Sequence, residues 1–171
     1  MAEMTENKLE VPLIYQEQDC WCWAASAKMV LTFYGITGDK QCEMANDQFG
    51  QTNCCADPTS EDCNQGICVK DIVPLFQKYG LNSKRRNYPV SFNKLKDEID
   101  AGRPVEVRIR WDGGGGHAVI VHGYRDDDEG QFLSVNDPWV TGWGTSEIEY
   151  DHLKEANGDG GTWANTWVAI Q

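Results

Sequence analysis

Two thiols stand one residue apart in the stretch YQEQDCWCWAASA, Tyr15 to Ala27, with Trp21 between them and Trp23 after. A thiol becomes a nucleophile when its pKa is lowered, and the positive end of a helix is one device that lowers it. A helical apolar pattern starts after Cys22, so Cys22 opens a helix and Cys20 lies outside it. Such a thiol needs an imidazole to share its proton and a third group to orient the ring. The chain offers three histidines. His117 follows a run of glycines and opens a strand, so its ring can be presented at an edge. His122 lies further along that strand and is expected on the opposite face, while His152 sits in a polar C-terminal segment. For the orienting group, NDPW supplies Asn136 and Asp137. A lone histidine in an apolar strand is more often a satisfied core residue, and a pair of structural cysteines is the plain alternative for Cys20 and Cys22.

Seven cysteines, at 20, 22, 42, 54, 55, 63 and 68, precede all the histidines. An odd count fits six in three disulfides plus one free thiol, which implies an oxidising compartment, secreted or periplasmic. Zinc is the competing reading. The histidines are remote from the cysteines and no paired C-x2-C modules occur, so no metal and no cofactor are expected.

The remaining composition is that of an ordinary globular chain. With 171 residues, 40% hydrophobic and 25% charged, it can bury a core as a single domain. Fifteen basic against 27 acidic residues give a net charge of −12, which argues against nucleic acid or an anionic membrane as partner. No apolar run reaches the roughly 20 residues a transmembrane helix needs. The opening MAEMTENKLE is polar and acidic, unlike a signal peptide. A monomer is expected.

Positioning these groups falls to elements that change in kind along the chain. WAASAKMVLTFYG puts Trp23, Ala27, Val30, Leu31 and Tyr34 on one helical face, closed by Gly35. Further helices are expected over 41–49 and near 69–79, with Pro74 in its first turn or at a kink. A fourth follows Ser91 as N-cap and carries Phe92, Leu95 and Ile99. From residue 103 the period becomes two: PVEVRIRW places Val105, Val107, Ile109 and Trp111 on one side and charge on the other, a half-buried strand. HAVIVHGY, FLSV and TWVAI read as later strands, with Tyr150 as a weak strand end. The class is α+β: a polar extension over 1–10, a mainly helical part over 11–102 and a mainly antiparallel β part over 103–171, with a cleft between the halves.

Taken in order, these segments resemble the papain-like cysteine proteases along most of the chain. QEQDCWCWAAS is similar to the family's active-site segment, with Gln16 preceding the nucleophile and Trp23, Ala24 and Ser26 following it. CCADPTSEDCNQG resembles the loop ending in Cys-Asn-Gly-Gly, and its cysteine doublet is similar to the cathepsin B branch. GRPVEVRI, GHAVIVHGY and NDPWVTGWG resemble a Pro-Val strand, the strand opening with the catalytic histidine, and the Asn-Ser-Trp-Gly region. The resemblance implies a cysteine endopeptidase acting on a protein or peptide substrate through an acyl-enzyme. Cys22 would be the nucleophile, His117 its ion-pair partner and Asp137 the orienting group. Gln16 would be an oxyanion donor beside the Cys22 N–H, with Trp139 and Trp143 packed over the histidine. Deamidases and transglutaminase-like acyltransferases, including secreted effectors or toxins, share this chemistry. An inactive disulfide-braced binding module has no need of all four residues.

The sequence departs from that pattern in three places. Cys20 is one position closer to the nucleophile than the family's neighbouring disulfide cysteine. Asp137 replaces the usual asparagine, as in bacteriocin-processing and bacterial effector relatives. His117 follows Cys22 at a shorter interval than the usual roughly 130–150 residues. These features are similar to a compact bacterial branch. The resemblance also suggests a Cys20–Cys63 disulfide, which the shift at Cys20 could redirect to Cys54 or Cys55.

Overall fold

Helix α1 (Cys22–Phe33) begins at the second thiol and ends as expected at Gly35, whose φ of 73° suits glycine. Helix α2 (Gln41–Phe49) closes at Gly50 in the left-handed region. A single 3-10 turn (Val69–Asp71) leads into α3 (Ile72–Lys78), where Pro74 falls in the first turn. Ser91 caps α4 (Phe92–Asp100) by accepting the Lys94 N–H on its hydroxyl at 3.2 Å. This computed structural model describes residues 4–171.

All strands pair antiparallel in one sheet, ordered β2 (Lys84–Arg86), β7 (Gly161–Val168), β3 (Val105–Trp111), β4 (Gly116–Asp127), β5 (Gly130–Asn136) and β6 (Thr145–Glu149). A further strand, β1 (Thr5–Lys8), pairs with the distal half of β4 at Gly123–Asp126, beyond the stretch that pairs with β3. Part of the segment read as a polar extension is therefore a strand. Tyr150, expected to end a strand, instead opens the short helix α5 (Tyr150–Lys154).

Two apolar cores lie on opposite faces of the sheet. On one face Trp23, Met29, Met44 and Phe76 of the first three helices pack with Ile120 and Trp167. On the other, Phe92, Leu95 and Ile99 of α4 and Leu153 of α5 pack with Val105, Val107, Val119 and Val121. Alternation along β3 and β4 sends successive residues to the two cores. In packing, α4 thus joins the β half although it precedes it in sequence. The charged side of β3 is not wholly wet either: Glu106 is buried at 1% exposure beneath the helical layer, while Arg110 is exposed. No described helix is long and apolar enough to cross a membrane.

The disulfides differ from the expectation. They join Cys42 to Cys55 and Cys54 to Cys63, leaving Cys20, Cys22 and Cys68 free. Cys63 is taken by Cys54, and Cys20 sits in an exposed turn where its own N–H donates to the Asn64 side chain. The start of α1 is held against residues 63–65 by two indoles instead. Trp21 donates to the Cys63 carbonyl at 2.8 Å and Trp23 to that of Gln65 at 3.0 Å.

Candidate active site

Cys22 is the first residue of α1 and is partly exposed. No side chain caps this helix and no acidic residue occupies its first turn. Its leading N–H groups and the positive end of its dipole are therefore not neutralised from within the chain. One turn on, Ser26 donates to the Ala118 carbonyl at 3.2 Å. That bond ties the thiol's helix to the residue following His117 and sets the separation of the two reactive side chains.

His117 opens β4 beside a glycine loop and is 8% exposed. Its Nε2 lies 2.6 Å from Oδ1 of Asp137, and the ring also interacts with Cys22. Burial alone would lower the pKa of this imidazole. The hydrogen bonds and charges of Asp137 and Cys22 outweigh it and push the value up to about 9. Asp137 is buried, which opposes ionisation. Its contacts with His117 and with two backbone N–H groups win, and its pKa is lowered. Those N–H groups belong to Trp139 and Trp143 and donate to Oδ1 and Oδ2, each at 2.9 Å. These two residues thus serve Asp137 through their backbones, whereas the ring stacked on His117 is that of Trp111, with centroids 6.1 Å apart. Alternation had put Trp111 simply on an apolar face, so its contact with His117 was not legible.

The remaining expected groups separate. His122 is buried outside the cleft, with Nδ1 on the Leu9 carbonyl at 2.9 Å, and burial lowers its pKa. His152 is exposed beside Glu149. Asn136 is wholly buried and bridges the Val11 carbonyl and the Thr145 hydroxyl. Gln16 donates through Nε2 to the carbonyls of Gln18 and Asp19, both at 2.8 Å, and its Oε1 has no partner. Its amide thus braces the turn before Cys22. Gln41 was not singled out by any sequence signal; buried at the start of α2, it accepts from the Glu17 N–H and donates to the Tyr15 carbonyl.

The cleft along these groups has a volume of about 830 Å³ and is bounded by α1, the 66–72 segment and the strands β3 and β4. Glu106 lines it with both carboxyl oxygens unpartnered, and burial pushes its pKa up to about 8. A thiol at a helix N-terminus beside an imidazole that is hydrogen-bonded to a carboxylate can activate sulfur for attack on an acyl carbon.

This fold and arrangement are those of a papain-like cysteine protease. The chain belongs to the Peptidase_C39-like family, whose model matches residues 8–168. Among solved structures, it is similar to a double glycine motif protease from an AMS/PCAT transporter in complex with the leader peptide, with 20% identity and a TM-score of 0.62 over 96% of this chain and 94% of that one. The peptidase domain of Streptococcus mutans ComA gives 15% identity and a TM-score of 0.58, over 93% and 98%. Digestive procathepsin L 3 of Tenebrio molitor larval midgut gives 14% and 0.54, over 96% of this chain and 69% of that one. No curated protein matches the sequence.

Proposed function

We propose that the protein is an endopeptidase that hydrolyses peptide bonds through a thioester on Cys22, and the observation that carries this reading is the Cys22–His117–Asp137 series. Cys22 gives up its proton to His117, and its sulfur attacks the scissile carbonyl carbon. The resulting oxyanion forms beside the N–H groups at the start of α1, where fixed dipoles favour negative charge. Gln16 becomes a second donor there when its Nε2 releases one of its two carbonyl acceptors. His117 then gives its proton to the leaving amine, and the C–N bond breaks to leave the thioester. Water enters, His117 takes one of its protons, and hydroxide addition releases the acid and regenerates the thiol pair. Asp137 holds the ring in the required tautomer throughout.

The substrate is a protein or peptide. The two disulfides support function in an oxidising compartment outside the reducing cytosol. Incubation with denatured casein tests the reaction: the protein should produce new amino termini and Cys22→Ala should not. Release of ammonia without new amino termini would replace peptide hydrolysis with deamidation.

A further inference from the structure

Glu106 is a buried cleft-lining acid that the reaction above leaves unused and unpartnered. It is 1% exposed, and neither carboxyl oxygen has a hydrogen-bond partner. Its strand neighbours fix where it points. Across the sheet it sits opposite Ile120 and Trp167, both members of the core beneath the helices. Its side chain therefore faces the helical layer and the cleft. Ile67, Val69 and Ile72 give the same cleft an apolar part. Arg108, the next residue on the same side of β3, does not neutralise it: the guanidinium lies against Gly116, where an added Cβ would stand 2.6 Å away.

We infer that Glu106 forms the floor of a substrate subsite that takes a lysine or arginine side chain, the aliphatic stem lying along Ile67, Val69 and Ile72 and the cationic head meeting the carboxyl group. A buried acid without a counter-charge is disfavoured by desolvation, and an entering cation supplies the missing partner. Apolar lining beside a buried carboxyl group matches the amphipathic build of these two side chains, which are long hydrocarbons ending in charge. The buried indole of Trp167, opposite Glu106 across the sheet, also lines the cleft, and its N–H has no partner. The net charge of −12 adds a long-range attraction for basic peptides.

This inference rests on the peptidase reading for its substrate, and the experiment separates the two. Peptides carrying lysine or the uncharged isostere norleucine at each position around the cleaved bond are compared by kcat/KM. Lysine should be preferred at one position by about tenfold or more, the scale expected when a buried charge gains or loses its partner. Glu106→Gln, which keeps the shape and removes the charge, should bring that ratio close to one. Equal rates for lysine and norleucine at every position, or faster cleavage of the norleucine peptides, would overturn the subsite and leave the peptidase standing. Should no peptide be cleaved, alkylation of Cys22 by iodoacetamide is followed in the presence of agmatine or 1-pentanol. Slowing by agmatine alone would uphold the subsite without the peptidase; equal effects of the two would overturn it. The alkylation test uses the unaltered protein, so it holds even if Glu106→Gln fails to fold.

Discussion

Gly142 and Asp137 are packed so closely that a Cβ on the glycine would stand 2.2 Å from the Asp137 Oδ2. The same oxygen accepts the Trp143 N–H, and the other carboxylate oxygen faces His117. Gly142→Ala should therefore displace the carboxylate and slow turnover at least about tenfold, since a misplaced orienting group loses the alignment the transition state needs. Circular dichroism should show the fold retained. Unchanged kcat in a folded variant would contradict the packing.

Asp137→Asn is the sharper probe. The family resemblance alone suggests that asparagine is tolerated, because many relatives carry it. Here both oxygens accept from N–H groups: Oδ1 from Trp139, beside His117, and Oδ2 from Trp143. An asparagine must turn its own NH2 towards one of these donors. Leaving a buried donor unpaired costs about 1–3 kcal/mol, so kcat should fall by roughly five- to 150-fold if that cost falls on the transition state. Near wild-type turnover would mean that the 137–143 loop rearranges to accept the amide.

The His117 pKa of about 9 sets a pH window. Loss of its proton disrupts the thiolate–imidazolium pair, so kcat/KM should decline as pH rises through about 9. The sign for stability is the same. A histidine whose pKa is raised on folding binds its proton more tightly in the native state, so its contribution is complete below about 6.5 and lost as pH rises through about 9. Because Cys22 itself raises this pKa, Cys22→Ala should shift the His117 titration downward, as followed by NMR of the ring protons. An unshifted titration would mean that thiol and imidazole do not interact.

Thiol counting tests the disulfide pattern. Unfolded without reduction, the protein should titrate three free thiols, which peptide mapping should place at Cys20, Cys22 and Cys68. A count of one would return a third bridge, as the odd cysteine number alone implies. In the folded protein an epoxysuccinyl probe should label Cys22 and not Cys20.

Helices were legible where local signals are strong. Gly35 stops α1, which carries Cys22, and Ser91 starts α4. β1 and β2, reading TENK and KRR, carry no apolar alternation and exist through backbone pairing with β4 and β7. Glu106 was hidden for a related reason. Alternation reveals which residues share a face, but whether the second face meets water depends on the helices laid over it. The adjacency of Asp137 to His117 came through the resemblance, whereas the Gly142 contact and the Gln41 brace have no sequence signature. The disulfides were misread because cysteine spacing restricts connectivity without choosing it.

Both disulfides close within residues 42–63. Neither one crosses the cleft, so the wall bearing Cys22 and the wall bearing His117 meet only through hydrogen bonds and packing, among them Ser26 with Ala118 and the Gln16 N–H with the Pro138 carbonyl at 2.9 Å. A reductant that restores an oxidised nucleophile therefore severs no covalent strut between the jaws. The gape of the enzyme is set by bonds that break and reform at thermal energies, and its redox state and its bite can be varied independently.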